Sequence, residues 1–263
     1  MNLTKSEFDF FRNFLFEAAG IEIDSNKHDL IKNRLHSEVN TRNVSYEEYI
    51  RILKTRNSNE VSRFVNLLTT NKTDFFREAQ HFERLKEACE NQHKNNTVYV
   101  WSAACSTGEE VYTIGMLLEE MPEEHRISYR ILGTDIDTQV LKSAANGVYR
   151  EEQVEKIRKE YLRKYFLVHP NGSHYKVTDS LRRNTKFRQL NLTERLHLPV
   201  MFDFIFMRNV LIYFPKESHE KAIEAAYQNL NSGGLLFIGH SESLQHRSDS
   251  FEFLGNSTYK KVA

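Results

Sequence analysis

The sequence predicts an α/β protein in which a parallel-sheet domain follows an all-helical domain. Two observations predict this order: helical patterns alone fill residues 1–90, and from residue 98 onwards strand-like apolar runs alternate with amphipathic helices. A third observation is a turn-rich stretch at about 160–190, which interrupts the alternation and predicts a small antiparallel β insertion. We therefore expect a helical domain at 1–90 and a second domain at 91–263 that carries the insertion.

The helical domain is indicated by capping signals and by apolar residues at helical spacing. Thr4-Lys-Ser-Glu7 has the form of a capping box, and Phe8, Phe11 and Leu15 follow it on one helical face. Gly20 is suited to end this first helix. Four further helices are expected at 27–39, from 45 onwards, at 59–68 and at 78–89. A polar linker is expected at 90–97.

The sheet domain is indicated by short apolar runs that are followed by helical patterns. This alternation is typical of a parallel sheet, because each helix returns the chain to the start of the next strand. Two β-prone pieces around Gly255-Asn256 predict a hairpin over 251–262 at one edge of the sheet. The strands before it are expected at 98–105, 129–137, 202–207 and 234–239. One helix is expected to end near 122, and two others are expected at about 138–145 and 217–230.

Composition and charge limit the functional classes to which this protein could belong. Lys and Arg number 36 and Asp and Glu number 36, so the basic excess that is typical of nucleic-acid enzymes is missing. The two cysteines, Cys89 and Cys105, provide neither a disulfide framework nor zinc spacing. The N-terminus lacks a signal-peptide pattern, and no apolar run approaches the roughly 20 residues that span a bilayer. We therefore expect a cytoplasmic protein without direct membrane insertion.

The turn after the first predicted strand, residues 101–110, indicates a cofactor site. In open α/β sheets ligands bind beyond the carboxyl ends of the strands. The turn has one glycine, Gly108, so it matches neither the dinucleotide fingerprint G-x-G-x-x-G nor a P-loop. Glu109 and Glu110 follow, and a carboxylate here repels phosphate but accepts hydrogen bonds from an ammonium group, such as that of S-adenosylmethionine. A purely structural role at the helix N-terminus is the alternative.

The second predicted strand ends in Gly133-Thr-Asp-Ile-Asp137. A carboxylate at this position is well placed to accept two hydrogen bonds from ribose hydroxyls, a device shared by methyltransferases and nicotinamide enzymes. We expect Asp135 to bind the ribose. Asp137 precedes Thr138 and fits the N-cap of the next helix.

Polar residues interrupt apolar surroundings at two further places. Arg208 and Asn209 break the apolar run at the end of the third predicted strand, and their burial without a function would be costly, although a satisfied structural pair is the alternative. Residues 70–77 place an Asn, a Thr and an Arg around two consecutive Phe, which by itself also fits an interhelix loop. His81 and His240 stand in suggestive places, but the histidines show no metal spacing, and no metal is expected.

Five motifs in order resemble the CheR family of chemotaxis-receptor glutamate methyltransferases. The resemblance spans nearly the whole chain, and it depends on the order and intervals of the motifs rather than on any one of them. Where the family's turn usually reads Ala-Ser-Thr-Gly-Glu-Glu-Pro-Tyr-Ser, the changes in this chain spare the glycine and both acids. The motifs are TTNKTDFFRE, VWSAACSTGEE, ILGTDIDTQVL, FMRNVLIYF and GGLLFIGHSESL.

The resemblance implies a class I methyltransferase domain of Rossmann-like fold, with S-adenosylmethionine as methyl donor, S-adenosylhomocysteine as product and no metal. Glu110, with Glu109 as its rival, is expected to hold the methionine part of the cofactor, and Asp135 the ribose. Arg77 and Tyr213 are the expected catalytic residues near the transferred methyl group. The cofactor-binding set implied by the resemblance is Asn71, Thr73, Arg77, Glu110, Asp135, Asn191, Leu192, Arg208 and Asn209, with Asn191 and Leu192 beside the adenine.

The substrate implied by the resemblance is a glutamate in the cytoplasmic helical region of a methyl-accepting chemotaxis receptor. A glutamate is already ionised at neutral pH, so its conversion to a γ-glutamyl methyl ester requires no strong general base. We expect Arg77 to orient this glutamate and Tyr213 to donate a hydrogen bond to its other oxygen. We also expect a monomeric cytoplasmic enzyme that is recruited to membrane receptors.

Two surfaces are expected to meet the receptor. A weakly basic face near the second helix suits an acidic receptor helix, although an ordinary solvated face is the alternative. Its basic residues are Lys27, Lys32, Arg34 and Arg42. The β insertion resembles a subdomain that in some family members binds a receptor's C-terminal peptide by strand addition. The sequence leaves open whether this chain does so.

Three other functional classes are weighed against this one. A nucleic-acid methyltransferase on the same fold is opposed by the neutral charge and by Arg208-Asn209, which stands where an Asn-Pro-Pro-Tyr type motif is expected. A nicotinamide dehydrogenase is opposed by the single-glycine turn. A catalytically silent adaptor would be expected to lose the cofactor acids, which are present at Glu109, Glu110 and Asp135.

Overall fold

The structure is a computed structural model that describes residues 3–23, 28–90, 97–244 and 249–262. A helical bundle precedes an α/β domain with a mostly parallel seven-stranded sheet and a small antiparallel sheet, so the predicted fold class is confirmed. Residues 91–96 of the linker predicted at 90–97, and the predicted helix start at Lys27, lie outside the described residues.

The five helices within residues 1–90 begin and end near their predicted positions. Thr4 and Glu7 form the predicted capping box, and Gly20 ends the first helix in the left-handed conformation with a φ of 70°. The second helix runs to Arg42, three residues beyond its predicted end. The helices are α1 (Lys5–Ala19), α2 (His28–Arg42), α3 (Tyr46–Lys54), α4 (Ser58–Leu68) and α5 (Gln80–Glu90).

The first four helices bury an aromatic core of their own. Phe11 stacks on Phe64 with ring centroids 5.9 Å apart, and Phe14 meets Phe64 edge to face at 5.3 Å. Helix α5 buries Phe82 and Leu85 in a different cluster, the one beneath the sheet. Along the chain, the change from the first apolar core to the second therefore occurs between the end of α4 and the start of α5.

The large sheet has the strand order β6-β2-β1-β7-β8-β10-β9. The first five strands in this order are parallel, and β10 runs antiparallel to both β8 and β9. The strands are β1 (Thr97–Ala103), β2 (Ser128–Asp135), β3 (Val148–Arg150), β4 (Phe166–Val168), β5 (His174–Val177), β6 (Thr185–Gln189), β7 (Phe202–Met207), β8 (Leu230–Ile238), β9 (Phe251–Phe253) and β10 (Thr258–Lys261). The helices between them are α6 (Glu109–Glu119), α7 (Thr138–Asn146), α8 (Glu151–Val154), α9 (Lys159–Tyr165), α10 (Asp179–Arg182) and α11 (Lys216–Asn229).

Both faces of the sheet are buried. Alternate residues of β1 enter separate apolar clusters, with Val98 and Val100 on one face and Trp101 and Ala103 on the other. Burial on both faces explains why β1 and β7 read as nearly continuous apolar runs. Among the described residues, no helix has the length and apolar character needed to cross a bilayer.

The segment with the predicted insertion contributes to two sheets. Strands β3, β5 and β4 form the small antiparallel sheet, with β5 in the centre. Strand β6 instead pairs parallel with β2 at the edge of the large sheet, and this strand was not predicted. Its residues, TKFRQ, are half-buried or exposed and form no apolar run, so the pattern of a buried strand is missing. Strand β8 also starts at Leu230, four residues before its predicted start.

Candidate cofactor and active site

A cavity lies at the carboxyl edge of the parallel strands, beside the point between β1 and β7 where the strand order reverses. The turns after β1, β2 and β7 form one side, and residues 19–23 and 68–77 form the other. The structure thus brings all of the predicted site residues together, while the role of each stays a prediction. Those lining the cavity are Asn71, Thr73, Arg77, Glu110, Asp135, Asn191, Leu192, Arg208, Asn209 and Tyr213.

The turn between β1 and α6 is wound tightly against the end of β2. Ala104, Ser106 and Gly108 have φ angles of 64°, 49° and 93°. A Cβ on Gly108 would lie 2.9 Å from the Cβ of Ala144, so both the conformation and the close approach require glycine. The unfavourable φ of the two non-glycine residues is held in place by surrounding contacts, as is common at binding sites.

Glu110, rather than Glu109, faces the cavity. Its Oε1 accepts a hydrogen bond from the Ser102 hydroxyl at 2.6 Å, and its Oε2 accepts one from Arg208 at 2.9 Å. Each oxygen keeps a lone pair for a ligand, because a carboxylate can accept about four hydrogen bonds.

Glu109 points away from the cavity into the protein. Only 2% of its surface is exposed, and its carboxylate accepts hydrogen bonds from Thr107 at 2.6 Å and from Gln153 at 3.2 Å. Burial raises the pKa of Glu109 above its usual value, although these hydrogen bonds act in the opposite direction. Of the two acids that the sequence left as alternatives, geometry therefore favours Glu110 for contact with a ligand.

Asp135 ends β2 at the cavity wall. Its Oδ2 accepts the backbone N–H of Ser106 at 2.8 Å, and its Oδ1 accepts that of Asp137 at 3.0 Å. Burial raises the pKa of Asp135, and the backbone donors partly offset this effect. Asp137 caps α7 as predicted, accepting the N–H groups of Gln139 and Val140.

Arg208 is almost completely buried and is surrounded by acceptors. Its guanidinium donates to Glu110 at 2.9 Å, pairs with Glu78 at 3.1 Å and donates to the main-chain oxygen of Arg77. It also lies 5.4 Å from the ring centre of Phe82. Two carboxylates thus offset the free-energy cost of burying this cation. Its contacts also connect the end of β7 to the turn after β1 and to the segment before α5.

Arg77 and Tyr213 face the cavity with polar groups that the protein leaves largely unused. One Arg77 Nη donates to the main-chain oxygen of Lys72 at 3.0 Å, and no carboxylate within the described ranges forms an ion pair with Arg77. The main chain of Tyr213 accepts the N–H of Glu22 at 3.0 Å, and its hydroxyl has no hydrogen-bond partner in the described part of the chain. Both groups are therefore free to contact a substrate.

Comparison with known proteins assigns the family. The description "CheR methyltransferase, all-alpha domain" matches residues 6–69, and "CheR methyltransferase, SAM binding domain" matches residues 71–260. The chain belongs to the CheR methyltransferase family. A chemotaxis protein methyltransferase 2 of Vibrio cholerae is 35% identical over 95% of this chain and 89% of its own length. A chemotaxis protein methyltransferase of Escherichia coli is 34% identical over 98% of this chain and 91% of its own length.

At the opposite end of the cavity of this CheR-family chain, Asn191 and Leu192 follow β6. The Asn191 side chain donates to the main-chain oxygen of Ala18 at 3.3 Å and accepts from Thr193, so it is used in local and interdomain contacts. Leu192 is 6% exposed within an apolar cluster. A planar apolar group could therefore rest on Leu192, while Asn191 shapes the turn.

Asn209 and Asn71 are also held by the protein. Asn209 has a φ of 58°, and its amide nitrogen donates to Glu78 at 3.3 Å. The amide nitrogen of Asn71 donates to Asp137 at 2.7 Å. Thr73 lines the cavity and is half-buried.

Glu78, His81 and His240 form the one group of three potential metal ligands within the described residues. His81 Nε2 lies 2.7 Å from the main-chain oxygen of Asn256. Its buried Nδ1 lies 3.6 Å from the Glu78 carboxylate and has no hydrogen-bond partner among the described residues. The same Glu78 oxygen lies 3.1 Å from the Arg208 guanidinium, whose positive charge opposes a bound cation. Burial and the charge of Arg208 lower the pKa of His81 to about 4. The group therefore fits a neutral histidine beside an ion pair better than a metal site.

The basic face expected to dock a receptor differs from its prediction. Arg34 donates to the main-chain oxygen of Thr69 at 2.7 Å, and Arg42 pairs with Glu38 and Glu60 at 2.6 and 2.7 Å. These half-buried guanidinium groups stabilise the helical domain, so charge reversal there would disturb the fold and could not report on docking. Receptor docking by this face stays a prediction, and Lys27 lies outside the described residues.

Glu78 is the site residue that sequence reasoning missed. It follows Arg77 directly, has a φ of 56°, and binds both Arg208 and Asn209. Burial opposes its ionisation, but Arg208 and Asn209 outweigh that effect and lower the pKa of Glu78. The available signal was an acid next to a candidate catalytic arginine, together with a buried arginine that needed a second partner.

Proposed function

We propose that this chain transfers the methyl group of S-adenosylmethionine to glutamate side chains of chemotaxis receptors, forming γ-glutamyl methyl esters. The observation that carries the proposal is one cavity with two carboxylates along one side, Glu110 and Asp135, and with Arg77 and Tyr213 beside them. The names of the Vibrio cholerae and Escherichia coli relatives support the substrate class. The enzyme would act in the cytoplasm and be recruited to receptors at the membrane.

The residues of the cavity suit this cofactor. The carboxylates of Glu110 and Asp135 are each fixed by two hydrogen bonds from the protein and still have lone pairs directed to ligands. Glu110 suits the ammonium group of the methionine part, and Asp135 suits two ribose hydroxyls. Leu192 offers apolar surface for the adenine.

When bound, S-adenosylmethionine supplies an activated methyl group, which a glutamate oxygen takes as the carbon–sulfur bond breaks and its electron pair passes to sulfur. The chain's part in this reaction is to position the carboxylate and to exclude water, because two opposite charges are lost and water stabilises the separated charges most. A glutamate with a pKa of about 4.3 is ionised at neutral pH, so the cavity needs no general base.

Arg77 would orient the incoming glutamate. Its guanidinium has no carboxylate partner among the described residues, so a substrate carboxylate would complete its coordination. Pairing with a cation lowers the nucleophilicity of the bound oxygen, so the other oxygen would attack, with a lone pair that the hydrogen bond from Tyr213 leaves unused. The hydroxyl of Tyr213 would fix the plane of the carboxylate by donating a hydrogen bond.

Strand β4 supports a second contact with the receptor. It is an edge strand of the small sheet, and Leu167 and Val168 are 62% and 55% exposed. An extended peptide could pair with its free main-chain groups. A synthetic peptide of the receptor's C-terminus, titrated against the wild-type chain and a Val168→Pro variant, would test this contact, and equal affinity for both would count against it.

The decisive experiment is methyl transfer from radiolabelled S-adenosylmethionine to membranes that contain chemoreceptors, with alkaline release of volatile methanol as the readout. Base-labile label on the receptor band that disappears in Asp135→Ala is the expected result. Calorimetric titration with S-adenosylhomocysteine accompanies it. Cofactor binding without transfer to any receptor tested would favour a silent adaptor, and the absence of both would refute the proposal.

A further inference from the structure

Asp137 makes more contacts than a helix cap requires. It is 2% exposed, and its Oδ1 accepts the two N–H groups at the start of α7. Its Oδ2 accepts the hydroxyl of Thr69 at 2.9 Å and the amide of Asn71 at 2.7 Å. An N-cap needs only the first oxygen. The second oxygen serves the segment that leads from the helical domain to Arg77.

These contacts belong to a closed ring of four hydrogen bonds. The N–H of Asp137 donates to Asp135 Oδ1 at 3.0 Å, and Asp135 Oδ2 accepts the N–H of Ser106 at 2.8 Å. The Ser106 hydroxyl donates to the main-chain oxygen of Asn71 at 3.0 Å, and the side-chain amide of Asn71 donates to Asp137 Oδ2, which closes the ring. The ring joins the ends of β1 and β2 to the segment at 69–77.

The segment at 69–77 is held by polar contacts at its two ends and by the buried ring of Phe75, which meets Tyr149 edge to face at 4.9 Å. Its far end is held where Phe76 N–H donates to the Thr113 hydroxyl at 3.2 Å and where Arg208 contacts the main-chain oxygen of Arg77. Residues 69–74 form no regular secondary structure, so helix or sheet hydrogen bonds do not hold this part of the chain. Its near end is held through the side chains of Thr69 and Asn71 by Asp137, and through their main-chain oxygens by Arg34 and Ser106.

We propose that Asp137 is a positioning residue for methyl transfer, because it holds the segment at 69–77, and with it Arg77, against the cofactor cavity. The inference rests on the role proposed above for Arg77. Asp137 itself does not line the cavity, but it hydrogen-bonds Thr69, Asn71 and Asp135, which do. Its carboxylate is suited to the task because both oxygens accept and neither donates, which matches the donors around it.

Asp137→Ser separates the two roles of this side chain. Serine caps a helix about as well as aspartate, so α7 keeps its N-cap. The single hydroxyl has no second oxygen to reach Thr69 and Asn71, so the contact with the segment is lost. Thr69→Val is the second variant, since it removes one donor to the same oxygen and leaves the cap of α7 untouched.

The test combines hydrogen exchange of the full chain with kinetics. In Asp137→Ser we expect faster exchange at residues 69–77, with exchange in α7 close to wild type. At saturating cofactor and receptor we expect kcat to fall by about tenfold or more, because a small misplacement of a positioning group can cost up to about a hundredfold. The Kd for S-adenosylhomocysteine should rise less than the kcat falls. Thr69→Val should change both readouts in the same direction.

Ser45→Ala provides the matched control. It removes the N-cap hydroxyl of α3, which accepts the N–H of Glu48 at 3.2 Å and does not touch the segment at 69–77. It should lower the melting temperature without changing kcat or exchange at 69–77. The proposal is overturned if Asp137→Ser speeds exchange only in α7, or if the segment loosens while kcat stays at the wild-type value. Because exchange needs no substrate, failure of the receptor assay itself would not be confused with either outcome.

Discussion

The variants Glu110→Gln and Glu109→Gln test which of two adjacent acids contacts the cofactor. Glu110 lines the cavity and would lose its charge opposite the cofactor's ammonium group, whereas its amide oxygen could still accept from Arg208. A hydrogen bond to a charged group contributes about 1.5–3 kcal/mol. We therefore expect the Kd for S-adenosylmethionine to rise about 10- to 150-fold in Glu110→Gln. Glu109 is buried with Thr107 and Gln153, so Glu109→Gln should change the Kd less than about threefold.

Isothermal titration calorimetry of the wild-type chain and both variants measures these constants directly. Circular dichroism at the same temperature checks that each variant is folded. Equal weakening in both variants, or greater weakening in Glu109→Gln, would show that the orientation of these side chains relative to the cofactor is not as described. An unchanged Kd in Glu110→Gln would remove the carboxylate from cofactor binding altogether.

Three further changes probe the fold around the site. Gly20→Ala places a Cβ at a φ of 70° and 2.4 Å from Thr193 Cγ2, so thermal unfolding should show a loss of about 2 kcal/mol or more. Phe64→Ala empties the centre of the aromatic core of the helical domain, and urea unfolding should show a loss of about 3–5 kcal/mol. His81 has a pKa of about 4 when folded and about 6.5 when unfolded, so the unfolded chain binds more protons between these values. Urea unfolding should therefore show stability that is complete above about pH 6.5 and decreases towards pH 4, with a flatter profile in His81→Gln.

Strands that are buried on both faces could be predicted from their apolar runs, and the edge hairpin of β9 and β10 from its turn, whereas the exposed strand β6 has neither signal. Strand β1 contains a run of apolar residues and was predicted to within two residues at its C-terminal end. Strand β6 is an edge strand with charged residues, and its pairing with β2 depends on the rest of the sheet. Capping signals were similarly informative, because Thr4, Gly20 and Asp137 act on neighbours that lie close in the sequence.

The composition of the cavity could be predicted from motifs, whereas the bonds within it could not. All of the predicted site residues line one cavity, but the sequence did not show that Arg208 has two carboxylate partners or that one of them is Glu78. Glu78 and Arg208 are separated by 130 positions, and only the folded chain brings such residues together. The contacts of Arg34 with Thr69 and of Arg42 with Glu60 were missed for the same reason, whereas Glu38, the other partner of Arg42, lies one turn away on the same helix.

Because residues on both sides of the predicted boundary at 90 line the cavity, we expect that the sheet domain alone would not be a self-sufficient catalytic module. A fragment that starts at residue 91 would keep Glu110 and Asp135 but would lack Arg77 and the rest of the segment at 69–77. Grafting the helical half of one relative onto the sheet half of another would therefore exchange part of the cofactor pocket together with any receptor preference. In this family, substrate choice and cofactor affinity are expected to evolve together rather than as independent traits.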